Sequence, residues 1–336
     1  MAMLDLKRLQ SILKEYPPFR ARQANRAIFR ELAGSWDEVT NLPKSLRAVL
    51  KRECPLAIEE EIVTADNGQT VKAIIRLHDG VAIETVLMRH RGGRNTVCVS
   101  SQVGCPLGCD FCLTGQRGFT RNLTAGEIII QVLLFARLLE AEAERVRNVV
   151  FMGMGEPFLN YDAVMESIRL MNDPEGLKIG GRRISISTIG IIKGIKKLSR
   201  EPIQVNLALS LHIPDDRLRS RLIPVNKEHP IEQVLAAVAG YIEATRRKVM
   251  IEYLLLDGIN DSPADAKKLI VLLKRSLKHL YYVNLIAYNP TGKYRSPPRN
   301  RIEKFQKALE EASITVTLRH RFGREIKAAC GQLAGE

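Results

Sequence analysis

Three cysteines share one short glycine-bearing stretch, GCPLGCDFCLTGQRGF, running from Gly104 to Phe119. Cys105, Cys109 and Cys112 stand in a C-x3-C-x2-C spacing. Iron–sulfur clusters are held by cysteine thiolates from short runs of this kind, and three thiolates hold three irons of a cubic four-iron cluster. The fourth iron then has no protein ligand and stays open to a small molecule. The same residues also read as a zinc knuckle or as three unrelated buried thiols. Zinc takes four protein ligands or a histidine-containing catalytic set, and this loop has neither a histidine nor a fourth cysteine. The spacing favours the cluster.

Two further cysteines stand outside the loop. Cys98 lies in CVSSQVGC, seven residues before Cys105, and Cys330 in AACGQL near the end of the chain. Isolated cysteines are mostly small buried hydrophobes, which is the default for both and for Cys54. The segment Gly153-Met154-Gly155-Glu156-Pro157 lets a backbone approach a ligand closely, with Glu156 able to accept hydrogen bonds from an ammonium group. It lacks the third glycine and the spacing of a dinucleotide fingerprint, and on its own it reads as a tight turn.

These residues need elements to position them. From residue 95 onward, strand-like and amphipathic segments alternate. The strands are expected at Thr96–Val103, Asn148–Met152, Arg183–Thr188, Gln204–Ser210, Val249–Leu256, Tyr282–Ala287 and Thr315–Arg319. The helices between them are expected at Thr124–Leu139, Ala163–Met171, Ile231–Thr245, Pro263–Leu277 and Arg301–Ala312. Thr124 and Glu127 form a capping box at the first helix. This alternation predicts a parallel sheet with crossover helices, whose ligands gather at the carboxyl ends of the strands. The cysteine loop, the Gly153–Pro157 segment, Ser187, Ser210-Leu211-His212 and Tyr288-Asn289-Pro290 all fall at such ends. Upstream, residues 1–57 read as a helical accessory domain, with Arg20–Leu32 amphipathic and Ser45 capping a short helix through Arg52. Residues 58–94 read as a β-rich extension with turns at Asp66-Asn67-Gly68 and His78-Asp79-Gly80.

The motif C-x3-C-x2-C with Phe111 before its last cysteine resembles the radical S-adenosylmethionine (SAM) superfamily. Together with CVSSQVGCPLGCDFCLTGQRGFTRNL, GMGEP, SLH, YNP and AACGQL, the chain from about residue 80 onward is similar to the RlmN/Cfr family of RNA adenine methyltransferases. The resemblance implies a fold, a partial (β/α)6 barrel spanning residues 95–336 and ending in a catalytic tail; periodicity alone does not separate that from an open doubly wound sheet. It implies a [4Fe-4S] cluster on Cys105, Cys109 and Cys112, and SAM held by Gly155, Glu156, Ser187, Ser210, Leu211, His212 and Asn289.

It also implies a reaction that consumes two SAM per turnover. Cys330 is methylated by the first. The cluster cleaves the second to a radical that takes hydrogen from the methyl group. The resulting carbon radical adds to an electron-poor adenine carbon. Glu84 is the implied proton acceptor, and attack by Cys98 on Cys330 sulfur releases the product, leaving a transient disulfide. The implied substrate is adenine C2 of 23S rRNA, extending to tRNA beside the anticodon. GEPFLNYD favours this C2 branch, whereas STIGI and YNPT lean toward the C8 (Cfr) branch that confers antibiotic resistance. The implied electron donor is a flavodoxin or ferredoxin, and the implied state a monomer.

Composition narrows the setting. Lysine plus arginine outnumber acidic residues by 51 to 37, a net charge of +14, which suits a polyanion partner. No run of eighteen apolar residues is present, and the N-terminal stretch lacks the apolar core of a signal peptide, so the expectation is a cytoplasmic protein that does not enter a membrane. Basic groups at Arg89/Arg91/Arg94, Arg182/Arg183, Arg217/Arg219/Arg221, Arg246/Arg247/Lys248 and Arg319/Arg321/Arg324 are expected on the surface, the last favoured for RNA phosphate contact. Two other readings remain: a radical SAM enzyme acting on a peptide or metabolite, and an RNA-binding protein with a structural metal.

Overall fold

The computed structural model describes residues 4–335. The chain begins with three helices, α1 (Leu6–Leu13), α2 (Pro18–Phe29) and α3 (Lys44–Glu53). Helix α3 starts after Pro43, so Ser45 lies inside it rather than capping it. Helix α1 packs against α2 and α3, and the buried Trp36 sits beside α3, its indole N–H donating to the Cys54 carbonyl at 2.7 Å. Cys54 is fully buried and its thiol is pushed up to about 11, chiefly by burial.

Strands β1 (Glu60–Thr64), β2 (Thr70–Arg76), β3 (Ala82–His90) and β4 (Arg94–Val99) form an antiparallel meander. A two-stranded ribbon of β5 (Gln102–Gly104) and β6 (Phe119–Asn122) follows, enclosing helix α4 (Leu113–Gln116). Helix α5 (Ala125–Glu140) then leads to β7 (Val146–Phe151), α6 (Tyr161–Asn172), β8 (Ile184–Thr188), α7 (Ile192–Leu198) and β9 (Asn206–Ser210). The chain continues through α8 (Asp216–Leu222), α9 (Ile231–Thr245), β10 (Val249–Leu255), α10 (Pro263–Ser276), β11 (Tyr281–Ala287), α11 (Arg299–Glu311) and β12 (Val316–Leu318).

Ten strands make one mixed sheet in the order β1-β2-β3-β4-β7-β8-β9-β10-β11-β12. From β4 onward every pairing in it is parallel. This is the parallel α/β sheet with crossover helices that the alternation predicts. The antiparallel strands continue the same sheet through the β3–β4 pairing. Strand interiors such as Val97, Val149, Ile186, Leu207, Ile251 and Val283 are buried, as expected where helices cover a parallel sheet.

The first barrel strand is shorter than its β-rich sequence suggests. It stops at Val99 and pairing resumes only at Gln102. Gln131 of α5 is the cause: its Oε1 accepts from the Ser100 N–H at 2.7 Å and its Nε2 donates to the Ser100 carbonyl at 3.0 Å. A side chain thus takes both backbone groups that a neighbouring strand would have used, and buried backbone groups need some partner. The capping box does form. The Glu127 N–H donates to Thr124 Oγ1 at 3.2 Å, and the Thr124 N–H donates to Glu127 Oε2 at 2.8 Å. Arg137, near the far end of α5, donates to the carbonyls of Leu32, Ala33 and Leu56, fastening the N-terminal helices to the barrel.

Candidate functional site

The cysteine loop is the tip of the β5–β6 ribbon, closed at its base where the Cys105 N–H donates to the Gly118 carbonyl at 2.8 Å. Gly104 sits at φ +74°, and an added Cβ would lie 2.0 Å from the Gly118 oxygen, so only glycine allows this closure. The loop presents Cys105, Cys109 and Cys112 to a cavity of about 170 Å³ at the carboxyl ends of the parallel strands. Burial raises the Cys105 thiol to about 12 and pushes Cys109 well above its ordinary value, with Cys112 and Cys105 adding to the rise at Cys109. Mutual repulsion of this sort places the three thiols in one electrostatic neighbourhood.

The same cavity is lined by Gly153, Gly155, Glu156, Ser187, Ser210, His212 and Cys330. Gly155 adopts φ +96°, and a Cβ there would strike Gln102 at 2.5 Å. Glu156 is buried and accepts from the N–H groups of Phe158 (3.0 Å) and Ile189 (2.9 Å). Burial outweighs these donors and raises its carboxyl to about 7. The His212 ring is held by the Leu254 N–H, which donates to Nδ1 at 3.2 Å, and by an edge contact with Phe111. Burial, then the Arg219 charge, lowers it to about 3, so it stays neutral. Leu211 is fully buried behind the wall rather than lining it.

A second, smaller cavity of about 40 Å³ adjoins the first, sharing Met152, Ile286, Arg319 and Cys330 with it. Cys98 and Asn289 line this one. Cys98 is held on β4 between Val86 and Val150. Its thiol is raised to about 12 by burial and then by Cys330. Cys330 belongs to a tail tied down on both sides. Asn289 Nδ2 donates to the Cys330 carbonyl at 3.3 Å, the Leu113 N–H to the Gly331 carbonyl at 2.9 Å, and Thr114 Oγ1 to the Leu333 carbonyl at 2.6 Å. All six cysteines are free. Glu84 lines neither cavity. Its Oε1 accepts from Lys72 Nζ at 3.0 Å and its Oε2 from the Ala334 N–H at 2.6 Å.

Two residues central to this arrangement carry no sequence signal that places them in the site. Glu252 is buried in mid-strand β10 and accepts from Ser187 Oγ (2.7 Å), Ser210 Oγ (3.1 Å) and Arg319 Nη1 (3.0 Å). Arg319, expected on the surface for phosphate contact, instead points inward to this carboxylate. It lines both cavities, and its charge counters the rise that burial imposes on Cys330. Arg219 is likewise buried rather than exposed. A third space, of about 500 Å³, opens at the amino ends of the strands and carries Arg94, Arg182, Arg183, His90, His320 and Phe322. Phe322 packs against both histidine rings. Met88, Met152, Arg319, His320 and Phe322 line this space and the Cys98 cavity alike, so the three voids form one line through the barrel.

The donor chemistry fits a cluster with a small zwitterionic ligand. Among the described residues, no three His, Cys, Asp or Glu side chains converge to hold a single metal ion; a cubic cluster instead spreads its thiolates over separate irons. The buried Asn289 Oδ1 has no hydrogen-bond partner in the protein, an atom that a ligand would satisfy.

Comparisons with known proteins agree with this geometry. Residues 99–270 match the Radical SAM superfamily. A protein of Chloroflexus aurantiacus named "Probable dual-specificity RNA methyltransferase RlmN" is 46% identical, covering 98% of this chain and 91% of its own length. One of the same name from Dictyoglomus thermophilum is 44% identical over 98% of this chain and 94% of its own. The crystal structure of a radical SAM methyltransferase from Sphaerobacter thermophilus superposes with a TM-score of 0.94 at 46% identity, with both chains fully covered.

Proposed function

We propose, for a chain that belongs to the radical SAM superfamily and within it to the RlmN family of RNA methyltransferases, that it methylates C2 of adenine in 23S rRNA and in tRNA beside the anticodon. The observation that carries this reading is the convergence of the cysteine-loop thiols, the polar strand ends and Cys330 on one cavity. The relatives' name, a dual-specificity RNA methyltransferase, supports two RNA classes and the C2 branch over the C8 one.

Cys105, Cys109 and Cys112 would hold three irons of a [4Fe-4S] cluster, leaving the fourth for SAM. When bound, the cluster supplies an electron to SAM, and SAM supplies the methyl group and the one-electron chemistry that an electron-poor ring carbon requires. Glu156 and the backbone at Gly155 would orient the SAM amino group, with Ser187, Ser210 and Asn289 as further contacts, His212 shaping the floor and Leu211 packed behind it. Cys330 accepts the methyl group from a first SAM, and its sulfur must be a thiolate to do so. Arg319 supports that charge, and Glu252 holds Arg319 in place. Cys330 would then hold the methyl carbon at the wall it shares with the cysteine loop, where the chemistry of a second SAM would activate it.

The adenine must leave its stack to reach Cys330. The basic opening at Arg94, Arg182 and Arg183 offers phosphate contacts, and His90, Phe322 and His320 offer faces for a base. Release of the adduct requires removal of a ring proton, for which Glu84 would have to be freed from Ala334. Once the adduct has also given up its unpaired electron, the Cys98 thiolate would attack Cys330 sulfur; the S–C bond breaks with its electron pair going to the departing carbon, which takes up a proton to become the product methyl group, and the two sulfurs are left as a disulfide that an external reductant must reopen. The helices of residues 1–57 would serve as an RNA-docking module. The reading includes a flavodoxin or ferredoxin as electron donor and a monomer acting in the cytoplasm.

Mass spectrometry of rRNA and tRNA nucleosides from cells with and without this protein tests the proposal. 2-Methyladenosine should disappear with the gene; loss of 8-methyladenosine instead would move the activity to the other ring carbon.

A further inference from the structure

Helix α8 joins elements that the site needs in register. Its last carbonyl, on Leu222, accepts the Asp110 N–H at 3.0 Å, docking the helix onto the cysteine loop. One turn earlier, Arg219 reaches the other way. Its Nε donates to the Leu211 carbonyl at 3.1 Å, and its Nη2 to those of Ile189 at 2.6 Å and Ser210 at 3.4 Å. These carbonyls sit at the ends of β8 and β9, beside Ser187, Ser210 and His212. Its Nη1 donates to Asn226 Oδ1, and Asn226 Nδ2 donates in turn to Asp216 Oδ1 at 3.0 Å.

Arg219 is fully buried, and its hydrogen-bond partners are three backbone carbonyls and the Asn226 amide oxygen, with the Asp216 carboxylate bonded to Asn226 rather than to the guanidinium. A buried cation without a direct counter-ion is costly, and apolar side chains of similar volume commonly replace buried charges without loss of stability. Packing alone therefore does not account for an arginine here. Its planar fork does what neither a leucine nor a lysine can: it bonds two strand ends at once.

We propose that Arg219 is a positioning residue that locks the β8 and β9 ends of the SAM site to the cysteine loop through α8, so that SAM affinity and the surroundings of the cluster depend on this one guanidinium. The inference rests on the reading of this cavity as the cluster and SAM site. Full-length wild type, Arg219→Lys and Arg219→Met, reconstituted anaerobically with iron and sulfide, provide the test. Iron content, SAM affinity by calorimetry, and the electron paramagnetic resonance spectrum of the reduced cluster with and without SAM are measured.

Arg219→Met should retain the wild-type iron content, bind SAM at least about tenfold more weakly, and lose the spectral change that SAM induces; that loss is a signature a purely structural role would not give. Arg219→Lys keeps the charge but not the fork, and should fall between, about threefold weaker than wild type or more. A wild type that binds SAM beside variants with unchanged affinity and spectrum overturns the role of Arg219 alone. Should Arg219→Met not fold, an unchanged Arg219→Lys does so by itself. A wild type that takes up neither iron nor SAM overturns this inference and the proposed function together.

Discussion

The two ends of the barrel are built on opposite principles. At the carboxyl ends of the strands the space is small, Cys109, Glu156, His212 and Glu252 are buried, and the polar groups are already bonded: Glu156 by two backbone donors, His212 by Leu254, Ser187 and Ser210 by Glu252. At the amino ends the space is about three times larger and carries unburied arginines beside aromatic rings. A closed, pre-bonded end suits a small charged molecule whose orientation must be fixed before chemistry. An open basic end suits a polyanion whose phosphates give affinity without demanding one geometry. The two meet at Cys98, Cys330 and Arg319, where a methyl group would pass from one side to the other.

The sharpest way to break this division is at the meeting point. Cys330→Ala should abolish RNA methylation, measured as 2-methyladenosine in a purified transcript, while leaving iron content and SAM affinity at wild-type values. Any retained methylation would mean that Cys330 lies on the line between the two ends without carrying anything across it.

Next in size is a substitution confined to the closed end. Glu156→Gln keeps the shape and removes the charge that would face an ammonium group. Hydrogen bonds to charged groups contribute about 1.5–3 kcal/mol, so SAM affinity should fall by about 10–100-fold, with RNA affinity unaffected. The wild-type pH profile checks the same point. Burial raises the Glu156 carboxyl to about 7, so the free site is protonated below that value and must lose a proton to receive the ammonium. SAM affinity should therefore weaken as pH falls below about 7, level off above it, and lose this dependence in Glu156→Gln.

The closed end was largely legible in the sequence, because its signals are local. Cysteine spacing, the two glycines around Met154 and the polar residues at strand ends each lie within a few positions of one another. Glu252, Arg319 and Arg219 were not legible. Glu252 occupies an ordinary strand position, and the two arginines sit among other arginines that do face outward. What separates them is the partners that the fold brings to them: Ser187 and Ser210 to Glu252, Glu252 to Arg319, and the Ile189 and Leu211 carbonyls to Arg219. The break in the first strand at Ser100 was hidden for the same reason, since Gln131 comes from 31 residues away. Helix boundaries came close because caps and prolines are local; α9 spans Ile231–Thr245 as its periodicity predicts.

A smaller effect is expected at the open end, where contacts are individually weak and salt-dependent. Arg94→Ala and Arg183→Ala should each weaken RNA binding a few-fold and reduce the slope of log affinity against log salt by about 1. SAM affinity should not move in either. Binding curves at several salt concentrations check this, and an unchanged slope would place the RNA elsewhere on the surface.

The smallest effect separates scaffold from site. Thr124→Ala removes one half of the capping box on α5, worth about 1 kcal/mol, or roughly 1–2 °C in Tm for a chain of this length. The consequence should stop at stability. Gln131, two turns along, is held by the Glu127 and Ser100 carbonyls, so the link between the strand bearing Cys98 and the cysteine loop survives the loss of the cap. SAM and RNA affinities in the folded protein should both stay within twofold of wild type. If SAM affinity instead fell along with Tm, the closed end would owe its geometry to the marginal stability of α5 rather than to its own bonded network, and the contrast between a pre-set end and an adaptable one would fail.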